Sequence, residues 1–478
     1  MPKYDYDLIV IGGGAAGLTC STGAGSLGAK TLLIEKEKEL GGDCLHFGCV
    51  PSKSLIKSAY AYNVLQHSTQ YGLPKIDVPA VDFRQVRERI QTIIAGIQEH
   101  DSPRHIKEKY NVDTKFGQPK FLDNHTISLN AAKITAKNFV IATGSSAVVP
   151  PVEGLQDIPF ITNEHVFSLE KIPPSLIVLG GGPVGLEMAQ TFGRLGSKVT
   201  VIQSASQLLP KEDPDIAQFV KAKLESEGIT VLLDARAVKV NKENNLIKLT
   251  VDQKGKMESI VGESLLVAAG RKANVDGLDL EKAGVQYDKR GIKVDARLRT
   301  SAKNIFACGD VHGKFQFTHV AGYEAGIAMI NAVFPLISTF KIPIKADYTK
   351  VPWCTYLDPE IANVGYNERR AQEAQIAYSI HKEELKNNDR AKAEGETDGF
   401  IKILTNTKGA TIGVQIVSFH AGDLIHEWVA VLNGRLSLVT IANSIHAYPT
   451  LSEINKTVAL NYFSSAPLTK KIRMVLNI

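Results

Sequence analysis

Short apolar runs that end at glycine mark the start of the chain. Residues 7–12 form the first such run, a helical pattern follows over residues 15–27, and a second apolar run covers residues 31–35. Apolar runs of this length next to glycine are typical of buried strands in a parallel sheet. The pattern therefore predicts a strand–helix–strand unit.

The same pattern returns later in the chain. Residues 175–180 are apolar and end at glycine, a helical pattern runs to Leu195, Gly196 interrupts it, and residues 198–203 form another apolar run. Two copies of one supersecondary unit indicate two dinucleotide-binding domains.

Proline pairs at 150–151 and 173–174 mark the junction between the two units. From about residue 345 the pattern changes to strands and helices without glycine-rich turns. We therefore predict an α/β protein with two Rossmann-like domains and a C-terminal α+β domain. The expected boundaries are 1–150 for the first part of domain one, 151–275 for domain two, 276–344 for the second part of domain one, and 345–478 for domain three.

The first glycine-rich turn has the spacing of a dinucleotide site. Gly12 permits a tight turn, Gly14 lets the backbone approach a pyrophosphate, and Gly17 lets helix and strand pack closely. The helix that follows presents unpaired N–H groups to an anion. Glu35, at the end of the second strand, is placed to bind a ribose. A tight turn without a ligand is the alternative.

Gly180, Gly182 and Gly185 repeat this spacing, but Gln203 stands at the end of the second strand. An acid there would select NAD, and a nearby arginine would favour NADP. Since the sequence displays neither, the choice stays open. Gly185 favours NAD.

Two cysteines, Cys44 and Cys49, lie five residues apart between glycines and a segment ending at Lys53. A helix N-terminus and the Lys53 charge would favour a thiolate, and such a pair can cycle between dithiol and disulfide. A metal site or two structural thiols are alternatives. A metal site would need more ligands than His46, and we predict none.

Composition excludes several classes of protein. The 478 residues carry a net charge of +5 without basic blocks, so we predict no nucleic-acid partner. Five scattered cysteines argue against a secreted disulfide framework. We see no signal peptide or long apolar span, and we expect a cytoplasmic protein.

These motifs together resemble the pyridine nucleotide–disulfide oxidoreductases of the dihydrolipoamide dehydrogenase, glutathione reductase and mercuric reductase type. The resemblance covers the whole chain and includes segments 142–144, 307–310 and 449–453. It implies FAD in the first unit, NAD(P)H in the second, and a C-terminal dimerisation domain that forms a homodimer.

The resemblance also implies residue roles. Cys49 is similar to the thiol beside the flavin and Cys44 to the interchange thiol that meets substrate, while Lys53 pairs with Glu187 near the flavin. Further cofactor contacts implied by the family motifs are Gly42, Thr143, Gly144, Gly270, Asp310, Thr318 and His319.

The family's catalytic histidine is missing from its usual position. Members of the family carry His-Pro-Thr-x-x-Glu, but this chain has Tyr448 before the proline, with Glu453 retained. A tyrosine with a pKa of about 10 is a poor base compared with a histidine at about 6.5. In an extended strand His446 would share a face with Tyr448 and could replace the base. A purely structural role is the alternative for His446.

The resemblance favours a dihydrolipoamide dehydrogenase-like enzyme that acts on a lipoyl disulfide or dithiol. A mercuric reductase-like reductase of metal ions or quinones is the second hypothesis, although the chain lacks that group's C-terminal cysteine pair. The third is a flavoprotein binding subunit of a lipoyl-bearing complex.

Overall fold

The computed structural model describes residues 4–334 and 344–465. The first unit is a sheet with the strand order β3-β2-β1-β6-β5-β4, flanked by helices. Its strands are β1 Tyr6–Ile11, β2 Thr31–Glu35, β3 Val112–Phe116, β4 Lys120–Phe121, β5 Thr126–Leu129 and β6 Ala132–Ile141, with a short β7 Ser145–Ala147 outside it. The helices are α1 Ala15–Ser26, α2 Gly42–His46, α3 Cys49–Gln66, α4 Phe83–Asp101 and α5 Pro103–Tyr110.

The centre of this sheet is apolar on both faces. β1 pairs in parallel with β2 and with β6, and Leu8, Ile9 and Val10 are fully buried. One face packs against α1 and the later helix of residues 318–333, and the other packs against the β4–β6 strands and residues 278–292. Because both faces are covered, the central strands read as continuous apolar runs. The carboxyl end of β1 leads directly into the first glycine turn and α1.

The second unit repeats this arrangement with a parallel sheet of order β10-β9-β8-β14. An antiparallel sheet, β11-β12-β13, is inserted before its last strand. The strands are β8 Ser175–Leu179, β9 Lys198–Ile202, β10 Thr230–Leu232, β11 Ala235–Glu243, β12 Leu246–Gln253, β13 Lys256–Gly262, β14 Ser264–Val267 and β15 Arg271–Ala273. The helices are α6 Asn163–Val166, α7 Pro183–Arg194 and α8 Pro214–Ser226.

The chain then returns to the first sheet. After a small hairpin, β16 Tyr287–Asp288 and β17 Gly291–Ile292, strand β18 Ile305–Ala307 pairs in parallel with β6. Helix α9 Thr318–Val333 packs against α1. The return places the turn between β18 and α9 beside the first glycine turn.

The C-terminal unit is an antiparallel sheet of order β19-β20-β23-β22-β21 with helices packed on it. Its strands are β19 Pro352–Thr355, β20 Glu360–Gly365, β21 Tyr378–Glu384, β22 Phe400–Asn406 and β23 Thr411–Ser418. Its helices are α10 Glu368–Glu373, α11 Asp389–Glu394, α12 Ala421–Leu432, α13 Leu438–Asn443 and α14 Glu453–Ser465. The α/β fold class with a distinct C-terminal unit is thereby confirmed.

A buried lysine joins the second and third units. Lys402 on β22 is 2% exposed, and its Nζ lies 2.9 Å from Asp213 Oδ2, 3.0 Å from Asp215 Oδ1 and 2.9 Å from Glu368 Oε1. The three carboxylates have the spacing of a metal site, but the Lys402 ammonium contacts all three and occupies the place that a cation would take. We therefore assign no metal site there.

Among the helices of the described ranges, no segment combines the length and apolarity needed to cross a membrane.

Candidate functional site

One large cavity connects the two glycine turns. It has a volume of about 2060 Å³, and its walls include Gly12 and Gly14 at one end, Gly180 and Gly182 at the other, and Cys44 and Cys49. Both cysteines and all the predicted cofactor residues except Gly17 and Gly185 therefore border a single space.

Two positions of the first glycine turn, Gly12 and Gly17, have no room for side chains. A Cβ on Gly17 would lie 1.7 Å from the carbonyl oxygen of Gly12, and Gly12 itself has a φ of +108°. Glu35 is buried, and its Oε2 accepts a 2.6 Å hydrogen bond from the backbone N–H of Gly13. The carboxylate is thus held against the turn that opens α1.

The second turn has the same geometry with a different charge. A Cβ on Gly185 would lie 2.0 Å from the carbonyl oxygen of Gly180. Gln203 is buried, and its Oε1 accepts a 3.2 Å hydrogen bond from the N–H of Gly181. A neutral amide therefore occupies the place that the Glu35 carboxylate has in the first unit.

Backbone approaches shape the cavity around the first turn. A Cβ on Gly42 would lie 2.7 Å from the Cα of Gly14, and Gly144 has a φ of +68°. Thr143 Oγ1 donates to the carbonyl of Asn274 over 2.7 Å, which ties the 142–145 segment to β15 and its loop.

A polar network links Asp310 to the cysteine-bearing segment. Ser145 Oγ donates to Asp310 Oδ2 over 2.6 Å, and Arg271 Nε donates to Ser145 Oγ over 2.8 Å. The Arg271 guanidinium also lies 3.2 Å from Asp43 Oδ2. Burial raises the pKa of the Asp310 carboxyl. Arg271 was not predicted from the sequence, although it directly follows Gly270, whose φ is +119°.

A second group of residues, centred on Glu324 of α9, stabilises the turn that contains Asp310. Glu324 on α9 is fully buried and accepts hydrogen bonds from Gly309 N at 2.7 Å and from Tyr348 Oη at 2.7 Å. The His312 ring lies 2.9 Å from the same carboxylate. No local sequence motif indicated these residues, because the contacts join segments distant in the chain.

Cys44 and Cys49 meet where α2 ends and α3 begins, and both are free thiols in the structure. Thr318 Oγ1, at the start of α9, is 3.4 Å from Cys49 Sγ. The hydrogen bond with Cys44 lowers the pKa of Cys49 to about 6, and Thr318 and the Lys53 charge act in the same direction against burial. The same thiol–thiol bond raises the pKa of Cys44.

Lys53 and Glu187 form the ion pair that the sequence suggested. Lys53 Nζ lies 2.8 Å from Glu187 Oε2, and the Glu187 carboxylate is buried. Glu187 Oε1 accepts a 2.9 Å hydrogen bond from the N–H of Tyr356, and the ammonium sits 4.3 Å from the Tyr356 ring centre. A segment of the third unit therefore closes this side of the cavity.

His319 lies on the cavity wall next to Thr318. Its Nε2 is 2.7 Å from the carbonyl oxygen of Pro352, and its ring stacks on Phe317. Burial lowers the pKa of His319. The ring is therefore neutral at pH 7 and holds the start of α9 against β19.

The segment around the missing histidine is not a strand, and its side chains do not share a face. His446 is nearly buried, with Nε2 3.2 Å from Glu427 Oε1. Tyr448 is 71% exposed, and its hydroxyl lies 3.4 Å from Asp389 Oδ2. Glu453 Oε2 accepts only a long 3.5 Å bond from Thr450 N. His446 therefore has a carboxylate partner other than Glu453.

The residues present fit two dinucleotides. At each end of the cavity, an added Cβ would clash with the backbone of the glycine turn, and an acceptor at the end of the second strand contacts that turn. Each turn opens a helix N-terminus, at α1 and at α7, which suits a pyrophosphate.

The sequence matches two models of one known protein family. Residues 6–325 match the model of the pyridine nucleotide-disulphide oxidoreductases, and residues 351–459 match the dimerisation domain of the same family. The chain belongs to this family of flavoprotein enzymes, which implies FAD and a pyridine nucleotide as cofactors.

The similar proteins include enzymes with different activities. The chain is 34% identical over 470 residues to dihydrolipoyl dehydrogenase 2 of Arabidopsis thaliana mitochondria, covering 95% of this chain and 90% of the relative. It is also 34% identical over 460 residues to a mercuric reductase of Lysinibacillus sphaericus, covering 96% and 83%.

A solved structure is similar over the full length. The HOCl-induced flavoprotein disulfide reductase of Escherichia coli has a TM-score of 0.83 at 25% identity, covering 96% of this chain and all of that chain. The Cu(II) complex of the same protein has a TM-score of 0.83 at 26% identity, covering 94% and 98%.

Proposed function

We propose that this chain is an NAD(P)H-dependent flavoprotein reductase that passes electrons through Cys49 and Cys44 to a thiophilic metal ion such as Cu(II) or Hg(II). The observation that carries the choice of acceptor is the pair of environments at His446 and Tyr448. The histidine is engaged by Glu427, and the residue at the family's base position is an exposed tyrosine. A thiolate can bind a metal ion without the proton shuttle that thiol–disulfide exchange uses.

The residues that line the cavity have separate roles in the proposed reaction. A bound FAD would supply the redox chemistry that links the nicotinamide to the Cys44–Cys49 disulfide. Lys53, held by Glu187, and Thr318 stabilise the Cys49 thiolate. Cys44, with its raised pKa, carries the proton of the reduced pair until it meets the acceptor.

The overall reaction balances without a further reductant. One NAD(P)H supplies two electrons, which reduce two Cu(II) ions to Cu(I) or one Hg(II) ion to Hg(0), and one proton is released. The dithiol returns to the disulfide in each cycle. The family's dimerisation domain supports a homodimer.

A lipoyl disulfide is the second candidate acceptor. It is favoured by the one-third identity to dihydrolipoyl dehydrogenases over nearly the whole chain. This candidate requires that proton transfer proceeds without a histidine at position 448.

The test measures NADH and NADPH oxidation by anaerobic, FAD-loaded protein with Cu(II), with Hg(II) and with lipoamide. Turnover of a metal ion that is lost in Cys44→Ser, but kept in Cys20→Ala, supports the proposal. Cys20 is a suitable control because it is a fully buried thiol on α1. Rapid Cys44-dependent turnover of lipoamide, with none of either metal, would reject it in favour of the second candidate.

A further inference from the structure

The end of β9 differs chemically from the matching position in the first unit. Glu35 there presents a carboxylate, and Glu37 follows two residues later. In the second unit the corresponding positions are Gln203 and Ala205, which are neutral. The second site therefore lacks the negative charge with which an acid at this place repels a ribose 2′-phosphate.

An arginine from the inserted antiparallel sheet lies beside this position. The N–H of Ala235 donates to the carbonyl of Gln203 over 2.9 Å, and the N–H of Asp234 donates to the carbonyl of Ala205 over 3.0 Å. These bonds fix the first residues of β11 against the end of β9. Arg236 is the next residue, is exposed, and lines the large cavity.

The Arg236 guanidinium is available for a ligand. Its cross-strand neighbour is Asp252, whose carboxylate accepts a hydrogen bond from the N–H of Gly255 over 2.8 Å. Asp234 is paired with Lys254 at 3.1 Å. Within the described parts of the chain, Arg236 makes no ion pair and no side-chain hydrogen bond, so its five N–H donors face solvent and the cavity.

Two further polar groups border the same place. Ser204, directly after Gln203, is exposed and lines the cavity. Lys211 is exposed and lines the cavity. It lies two residues after Leu209, whose N–H donates to the carbonyl of Gly181 over 2.9 Å and so holds this segment beside the second glycine turn. The mouth of the second site thus combines a hydroxyl and two cations.

We propose that the second site is selective for NADPH, and that Arg236 binds its 2′-phosphate next to the neutral Gln203. The planar guanidinium suits bidentate contacts with a phosphate, and a phosphate monoester carries charge that NADH lacks. Gly185 favoured NAD in the sequence. The structure adds Arg236 from the inserted sheet, an arginine that β9 itself does not provide and that favours NADP. This inference rests on the proposed function only in assigning a nicotinamide nucleotide to the second turn.

The first test is nucleotide binding, which needs no electron acceptor. Calorimetric titration of FAD-loaded protein compares adenosine 2′,5′-bisphosphate with 5′-AMP. We expect the bisphosphate to bind at least about tenfold more tightly, since a hydrogen bond to a charged group contributes on this scale. Arg236→Ala should remove that difference, Arg236→Lys should keep part of it, and added salt should reduce it in the unaltered protein.

Lys248→Ala is the matched control. Lys248 is exposed on β12 of the same sheet and lies outside the cavity. Its replacement by alanine removes one positive charge, as Arg236→Ala does. It should leave the preference for the bisphosphate unchanged. Gln203→Glu should reverse the preference, because the new carboxylate can keep the bond to Gly181 while repelling the 2′-phosphate.

The activity readout is the ratio of kcat/KM for NADPH to that for NADH. Arg236→Ala should lower it about tenfold or more through KM for NADPH, with NADH unaffected. Equal binding of both adenosine nucleotides by the unaltered protein, or an equal loss of both in Arg236→Ala, would overturn this inference alone. Failure of both nucleotides to bind would overturn the proposed function as well.

Discussion

Replacing Lys402 by methionine tests whether the buried ion cluster holds the second and third units together. The change keeps the length of the side chain but leaves Asp213, which is fully buried, and Asp215 and Glu368 without their shared cation. Removing one partner from a buried ion pair typically costs about 3–5 kcal/mol. Burial lowers the pKa of Lys402, but its hydrogen bonds to Glu368 and Asp213 raise it by more, so the lysine is charged at pH 7.

Lys382→Met is the control for this prediction. Lys382 lies opposite Lys402 on the neighbouring strand, but its side chain is 38% exposed and its ion pair with Glu384 spans 3.3 Å. Exposed pairs contribute about 0–1 kcal/mol. Urea unfolding of both variants, with hydrogen exchange on β22 and on residues 210–216, measures the difference.

The pH dependence gives a second readout on the same variant. Without the lysine, the clustered carboxyls should have raised pKa values in the folded protein. A raised carboxyl pKa costs stability at neutral pH, and this cost is relieved as the pH falls. The deficit of Lys402→Met should therefore shrink towards pH 4. A deficit within about 1 kcal/mol of the control at pH 7 would refute the reasoning.

Three other outcomes follow from the site. Alkylation of the reduced protein by iodoacetamide should show a midpoint near pH 6 from Cys49, and a midpoint above about 8 would contradict the assignment. Lys53→Met should move this midpoint upwards and Glu187→Gln should move it downwards, because the lysine favours the thiolate and the glutamate opposes it. Gly17→Ala should purify with little bound FAD, measured by flavin absorbance, whereas Gly23→Ala on the same helix should retain it, since its Cβ would meet only Met329 at 3.2 Å.

Local patterns in the sequence were sufficient to predict the two parallel-sheet units. The apolar runs at 7–12 and 198–203 correspond to strands Tyr6–Ile11 and Lys198–Ile202, because successive positions near the end of each strand are buried on both faces of the sheet and are therefore apolar. The alternating β11–β13 ribbon was missed. It is inserted between the parallel strands β10 and β14 of the second unit, and no glycine motif marks it.

Long-range partners could not be predicted in the same way. Nothing near His446 in the chain indicates that Glu427 on α12 is its partner, and nothing near Asp43 indicates Arg271. Such pairs form only when segments that are distant in the chain pack together. The sequence could therefore identify which residue types carry the chemistry, but the electrostatic environment of each one required the fold.

The contrast between Glu35 and Gln203 also bears on how the protein acquires its cofactors. FAD and NADP share an adenosine diphosphate portion, so two similar glycine turns in one chain risk being filled by the wrong nucleotide during assembly. Since Glu35 is buried and fixed on Gly13, it would disfavour a 2′-phosphorylated ribose at the first turn. The newly folded chain would thus discriminate against NADP at the flavin site before any electron is transferred.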